Sequence, residues 1–404
     1  MARTYDIGLE EALSLTFDAI RVLKPAQMTV HEVCGHVAAE DLKAVVDCPS
    51  ATSSLRDGYA VVSADIAKAS RENGVPLRIA GTLAAGDPTL KTVRPGETVE
   101  VLTGAVIPKG ADAVVSVEFT EQHGDRVICY RDAPPGCNLL FRGSDVAADG
   151  LIMSRGEALT PALTGLLAAG GLEQVKVYPS PRVAVVATGD EVIAPGHPLQ
   201  PGQLYASNIV TLYSWLHHFG MSGETAVVRD RPDELEMTFQ KLLSRNDALL
   251  TSGGAWKSER DLTTRVLDEM GWEMFFHRVR IGPGKAVALG ILDGKPIFCL
   301  PGGPPSNEMA FLQIALPGLL QMAGRPTTPF PLREVRLAEA MSGDVTWTQF
   351  FQASLEKRGG EWRAIPHRMK SRIQSQARAQ ALIRIPEGVE CLAPGNIIEV
   401  QVLF

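Results

Sequence analysis

Apolar residues recur at helical spacing across residues 9–23, at Leu9, Leu13, Phe17, Ile20 and Leu23, and the stripe ends before Pro25. Residues 28–46 mix strand and helix signals around Gly35. From Asp57 to about Asp145 the pattern turns to short β-runs separated by Gly, Pro and Asp: 58–62, 76–83, 98–107, 113–119 and 126–130. His123-Gly124-Asp125 reads as a hairpin turn between two of them. Thr160 then caps a helix with Pro161 in its first turn, and Gly170-Gly171 ends it.

Beyond Pro181 strand and helix patterns alternate. Strands are expected at 183–187, 225–228, 248–251, 275–281, 286–291 and 296–300. Helices are expected from a cap at Ser207 to Gly220, from Pro232 to about Leu243, from about Glu259 to Gly271, and over 306–324 with a kink at Pro317. A βαβ series implies a parallel sheet covered on both faces. The last 75 or so residues return to β-pattern, with turns at Gly359-Gly360 and Pro394-Gly395-Asn396 that predict a small closed or curled sheet. The chain thus divides into 1–46 plus 147–180, an inserted β-rich stretch at 47–146, an α/β stretch at 181–326, and a β-stretch at 327–404.

Composition narrows the class. A chain of 404 residues, 45% hydrophobic and 21% charged, is a globular protein of several domains. A net charge of -7 disfavours nucleic acid as a partner but leaves room for a local anion pocket. No basic-then-apolar leader is visible, and the most apolar stretch, 158–172, is short and broken by Pro161 and glycines, so no membrane span is expected. The cysteines, at 34, 48, 129, 137, 299 and 391, form no Cys-x-x-Cys pair, which suits reduced thiols in a cytosol. Cys299 reads as a core thiol.

Ligands of an open parallel sheet sit beyond the carboxyl ends of its strands. There this chain places Thr188-Gly189-Asp190-Glu191, then Asp230, then Ser252-Gly253-Gly254 with Asp261 beyond. It also places Gly282-Pro283-Gly284-Lys285 and Pro301-Gly302-Gly303-Pro304-Pro305-Ser306. Glycine turns before helices bring backbone N–H groups and a positive dipole end to an oxyanion. Asp230, Asp261 and Glu191 are candidate ligands of a divalent cation held against a phosphate, and Lys285 adds positive charge. Singly, Asp230 would serve equally as the cap of the Pro232 helix, Glu191 as a solvated turn residue and Lys285 as a surface lysine. Together they point to a phosphate chain.

The same motifs, taken in order, resemble the molybdopterin molybdenumtransferases of the MoeA and gephyrin E-domain type. The matching segments are 57–61 (Asp-Gly-Tyr-Ala-Val), Thr103-Gly104-Ala105, Pro108, 110–114 (Gly-Ala-Asp-Ala-Val) and Arg142-Gly143-Ser144-Asp145. They continue with 188–191, 252–254, Asp261, 283–285 and 300–302, so the resemblance spans nearly the whole chain. It implies four domains: an elongated α+β N-terminal domain, an inserted β-domain, a molybdopterin-binding α/β domain and a small C-terminal β-barrel. It implies a cytoplasmic homodimer whose cleft is shared between the α/β domain of one subunit and the β-domain of the other. The implied reaction uses Mg²⁺, takes adenylated molybdopterin and molybdate (or tungstate), inserts the metal at the dithiolene and releases AMP.

The resemblance further implies that Asp57, Thr103 and Asp145 face the cleft with Glu191 and Lys285 as catalytic groups, and that Asp230 and Asp261 hold the metal. Ser252, Gly253, Gly254, Pro301, Gly302 and Gly303 would bind substrate; Lys257, Ser371 and Arg372, from stretches that depart from the family pattern, are further candidates to bind it. Outside that context Asp57 reads as an Asp-Gly turn, Thr103 as a strand-end hydroxyl, Asp145 as a loop cap and Arg142 as a surface charge.

Four stretches depart from the family pattern. Position 282 is glycine where the family carries a second lysine, and Ala255-Trp256-Lys257-Ser258 follows Ser-Gly-Gly. Gly303 replaces the asparagine of Pro-Gly-Asn-Pro, and 367–372 replaces a Gly-Ser-rich loop. A doubly charged oxyanion needs cations or dense N–H donors, so the missing lysine would weaken molybdate binding unless Lys257, Arg280 or Arg372 restores the charge. The substituted loops at 255–258 and 367–375 also fit a non-catalytic paralogue that binds molybdopterin as a scaffold or receptor, against which stand Asp57, Asp145, Asp230, Asp261 and Lys285. A third function, an adenylyltransferase acting on molybdopterin and ATP, is implied by the similar α/β domain of the family's relatives and disfavoured by the extra β-domains.

Overall fold

The strand Val183–Thr188 is buried at every position, so the apolar-polar alternation of a half-exposed strand is absent from it. Its odd residues Val183, Val185 and Ala187 enter one core with Phe298 and Phe311, and its even residues Ala184 and Val186 enter another with Leu235 and Phe239. Helices cover both faces, which is what an uninterrupted apolar strand requires. The structure, a computed structural model, describes residues 4–88, 91–253, 262–368 and 372–404. It comprises two compact units, one of Met1–Ala26, Gly35–Val37 and Tyr178–Phe404, the other of Gln27–Cys34 and Ala38–Val177.

In the first unit the central sheet runs in the order Thr4–Ile7, Glu273–Val279, Ala288–Leu292, Lys295–Leu300, Ala248–Ser252, Val183–Thr188 and Thr225–Val228. Its strands are parallel except Ala288–Leu292, which is antiparallel to both neighbours because a tight turn at Asp293-Gly294 connects it directly to Lys295. The βαβ expectation therefore holds for the strands separated by helices and fails where the connection is too short for a crossover. The N-terminal helix, expected over 9–23, is Leu9–Ala19. The helix over Ser207–His218 begins at Ser207, with Ala206 in the cap position and no side-chain cap.

The long helix opens at Pro304 and passes through a π-turn at Phe311–Ala315 before resuming over Leu316–Met322. Pro317 has no N–H to offer the carbonyl four residues back, so the irregularity falls in the turn before the proline. In the C-terminal part, strands Leu332–Leu337, Thr348–Arg358, Glu361–Pro366, Ala381–Ile385 and Ile397–Val402 close on one another as a barrel. The Gly359-Gly360 turn is the expected hairpin, pairing Arg358 with Glu361.

The second unit holds a six-stranded sheet ordered Thr120–His123, Arg126–Cys129, Val75–Leu83, Glu97–Val101, Gly58–Val61 and Ala113–Ser116. The Gly124-Asp125 hairpin joins the first two, with His123 opposite Arg126. The run expected over 98–107 shortens to Glu97–Val101, and Val117–Phe119 is a single 3₁₀ turn. The helix Pro161–Ala169 is capped as its sequence predicts, the Thr160 hydroxyl accepting from the Leu163 N–H at 3.3 Å. No helix among the described residues is long and apolar enough to cross a membrane.

Candidate active site

The carboxyl edge of the central sheet is built from close backbone approaches. Gly253 has φ +102°, and a Cβ there would lie 2.9 Å from the Thr188 carbonyl oxygen, so only glycine lets the Ser252 turn pack on the neighbouring strand end. The glycine turn after Leu300 abuts it: a Cβ on Gly302 would sit 3.7 Å from the Gly253 Cα. Gly302 and Gly303 are exposed, while Pro301 is buried beneath them.

Two asparagines tie these turns together. Asn208 donates to Ser252 Oγ at 3.0 Å and to the Gly302 carbonyl at 2.8 Å. Asn307 donates to Ser252 Oγ at 3.1 Å and to the Pro301 carbonyl at 2.9 Å. The carbonyl partners fix which end of each amide faces the turn, because only the NH₂ group can donate. Ser252, itself buried, therefore accepts twice and keeps its own proton to give. Sequence reasoning missed both asparagines. Each stands in the first turn of a helix that opens on this edge, where asparagine reads as a cap.

Lys285 stands at the far end of a loop wedged beneath the Pro304 helix. Gly284 has φ +120°, and a Cβ there would meet the Ser306 carbonyl and the Ala310 N–H at 3.2 Å. The preceding Ile281-Gly282 pairs in parallel with Thr348-Gln349 of the barrel. Lys285, Pro301–Gly303, Ser306, Asp344, Trp347 and Gln349 line a cleft of about 540 Å³. Lys285 Nζ lies 5.5 Å from the Trp347 ring centroid, within cation–π range. Asp344 accepts from the Thr346 hydroxyl at 2.6 Å and the Thr346 N–H at 2.9 Å, which hold its carboxyl below the usual carboxylate range. The cleft thus contains an ionised acid as well as a lysine.

Arg280 does not line this cleft and is paired with a carboxylate. Its guanidinium forks onto Glu387, at 3.0 Å from Nε and 3.3 Å from Nη2, and that pairing raises its pKa further. Arg372 begins the short helix Arg372–Ala377, is exposed, and is not among the residues lining the cleft. Gly254, Lys257, Asp261 and Ser371 lie outside the described residues.

Three carboxylates gather at the other end of the edge. Asp230 is pushed above the ordinary aspartate value, first by partial burial, then by the charges of Asp190 and Glu191, although its side chain still reaches solvent. Glu191 folds back beneath Gly189, whose φ of +140° leaves room for the carboxylate: a Cβ there would sit 2.7 Å from it. Among the described residues no three His, Cys, Asp or Glu side chains converge closely enough to form a metal cluster. Mg²⁺ needs only one or two carboxylates when phosphate oxygens and water complete its shell, and the mutual repulsion at Asp230 is what a bound cation would relieve.

In the second unit Asp57 Oδ1 accepts from the Thr103 N–H at 2.6 Å and from its hydroxyl at 2.8 Å. These bonds, the backbone one first, hold Asp57 below the usual carboxylate range. Arg142 pairs with Asp47 at 2.5 Å, so it is a loop fastening. The Asp145 N–H donates to the Cys48 carbonyl at 2.9 Å, while the Cys48 thiol lies 4.0 Å from Asp145 Oδ2.

Family models account for most of the chain: "MoeA N-terminal region (domain I and II)" matches residues 7–171, "Probable molybdopterin binding domain" 184–321 and "MoeA C-terminal region (domain IV)" 334–403. Molybdopterin molybdenumtransferase 2 of Mycobacterium tuberculosis is 30% identical over 399 residues, covering 97% of this chain and 98% of the relative. The chain belongs to the MoeA family. A MoeA molybdopterin biosynthesis protein from Pyrococcus horikoshii superposes with a TM-score of 0.82 at 32% identity, covering 98% of this chain and 99% of that one. The molybdopterin molybdenumtransferase of Haemophilus influenzae is 33% identical over 300 residues, 74% of this chain and 73% of its own. This MoeA chain is accordingly a transferase with a role in molybdenum cofactor biosynthesis.

Proposed function

We propose that this chain inserts molybdate into adenylated molybdopterin, releases AMP and depends on Mg²⁺. The carrying observation is the convergence of Asn208 and Asn307 on Ser252, which accepts from both and so keeps its own hydroxyl proton to donate beside two abutting glycine turns. A site built of N–H and O–H donors with a lysine across a cleft suits an anion whose charge grows during reaction. Asp230, Glu191 and Asp261 would hold the Mg²⁺, which when bound supplies positive charge against the phosphoanhydride.

The chain's own residues do the positioning. Ser252 donates to a phosphate oxygen, the backbone N–H groups of the 252–254 and 302–303 turns take others, and Lys285 offsets negative charge in the cleft where molybdate binds. No nucleophilic side chain is needed; Cys299 is fully buried in the core. The protein works in the cytoplasm as a homodimer, with Asp57, Thr103 and Asp145 of one subunit completing the cleft of the other.

Three observations favour a second reading, a molybdopterin-binding paralogue that does not catalyse. Gly282 stands where the family carries lysine, Arg280 is committed to Glu387, and Asp344 adds negative charge to the cleft. A single assay decides: incubate the protein with adenylated molybdopterin, MgCl₂ and molybdate and follow AMP. Molybdate-dependent AMP release is expected. Binding without release supports the paralogue, and adenylate formation from molybdopterin and ATP supports an adenylyltransferase.

A further inference from the structure

Behind the two asparagines lies a second cavity of about 470 Å³, lined by the Ser207–His218 and Pro304–Ala310 helices, the Arg372–Ala377 helix and Phe404. Its walls mix apolar side chains, with Val210 52% exposed, Ile373 56% and Phe404 76% and Trp215 stacked on Phe404 at 5.3 Å, with the polar groups of Thr211, Ser214 and His218, and they are open to solvent. The cavity also holds one carboxylate. Glu308 accepts from the Trp215 indole N–H at 2.8 Å on Oε1 and from Gln376 at 2.7 Å on Oε2. Those two donors are neutral and take one direction on each oxygen. A carboxylate has about four acceptor directions, so each oxygen keeps another.

We infer that this cavity holds the pterin ring of the substrate, with Glu308 receiving the adjacent N–H and NH₂ donors of its 2-amino-4-oxopyrimidine edge. The inference rests on the molybdopterin reading above and adds the subsite. A flat heterocycle with an amidine-like edge suits a slot that offers the Trp215 and Phe404 rings for stacking and the Glu308 carboxylate for paired donors. Adenine presents an acceptor beside its amino group, and that acceptor would face Glu308 across a repulsive contact. Cavity and cleft share a wall: Asn208 and Asn307 line the cavity and bond to Ser252, Pro301 and Gly302 of the reactive edge. A pterin lodged here would extend its side chain past that wall toward the phosphate-binding turns.

The test titrates the full-length protein with neopterin, and separately with AMP, by calorimetry, for wild type, Glu308→Ala and Val210→Trp. Val210→Trp fills the slot from an exposed helix position and leaves Glu308 and its partners intact. Saturable neopterin binding is expected, weakened about tenfold or more in both variants, while AMP binding stays within about twofold. The proposal is overturned if wild type binds no neopterin, if both variants bind it as wild type does, or if AMP binding falls in parallel. Its failure is separable from that of the reaction. Molybdate-dependent AMP release with neopterin binding insensitive to both variants would remove the subsite and keep the activity. Variant-sensitive neopterin binding without AMP release would do the reverse.

Discussion

Asp57 Oδ1 and Thr103 form a two-donor clasp: the threonine gives both its backbone N–H, at 2.6 Å, and its hydroxyl, at 2.8 Å, to one carboxylate oxygen. Both bonds favour the charged form, so the folded pKa lies below the unfolded one. The linked stability is present above the unfolded value and is lost as pH falls through the folded value. Thr103→Val keeps the backbone donor and loses the hydroxyl. Asp57 should then titrate upward, toward the ordinary aspartate range, in a carboxyl-carbon NMR titration. An unmoved titration would show that the hydroxyl does not govern Asp57.

Asp230 has the opposite sign. Its folded pKa is raised, so the folded state holds that proton more tightly, and its ionisation opposes folding as pH rises through the unfolded and then the folded value. Asp230→Asn should melt at the same or a higher temperature than wild type at neutral pH. Added MgCl₂ should raise the wild-type melting temperature at pH 7 more than at pH 4, and should leave Asp230→Asn unmoved. Equal Mg²⁺ shifts in both proteins would place the cation elsewhere.

Asn307 is buried and spends both amide hydrogens, on Ser252 and on the Pro301 carbonyl. Asn307→Ala leaves that carbonyl without this donor and should destabilise the chain by about 1–3 kcal/mol. Asn208 is only half-buried, so Asn208→Ala should cost less in urea unfolding. Both should lower kcat for AMP release more than they raise KM for molybdate, since the bonds orient a donor and bind no oxyanion themselves. A rise in molybdate KM alone would contradict this.

Asp344 opposes an oxyanion in the Lys285 cleft. Asp344→Asn should lower the molybdate concentration for half-maximal turnover by roughly twofold to tenfold at low salt, with the advantage fading as salt rises. Lys257→Ala and Arg372→Ala, made singly, should raise it if either side chain replaces the lysine missing at Gly282. Two unchanged values would discard both as substitutes.

Much of the framework was legible in one dimension. The Thr225–Val228 strand, the Pro232–Leu243 helix, the Thr160 cap and the Gly124-Asp125 and Gly359-Gly360 hairpins follow from local rules: period, cap chemistry and turn residues. So do the glycines at 253 and 284, because a turn of positive φ is written in the residue that permits it. The antiparallel strand at 288–292 was not legible, since direction depends on which edge a short connection returns to.

The sequence alone determined that the glycine turns at 253 and 302, Ser252 and Asp230 stand at the sheet's carboxyl edge, because strand ends and helix starts are local events and their order sets the edge. Tertiary structure alone decided how those groups are used. It bound Arg280 to Glu387, 107 residues away along the chain. It set Asn208 and Asn307 on the same serine and brought Asp344 into the lysine's cleft. Hydrogen bonds and charges act over a few ångströms regardless of separation along the chain, so partners of this kind exist only once the backbone has closed.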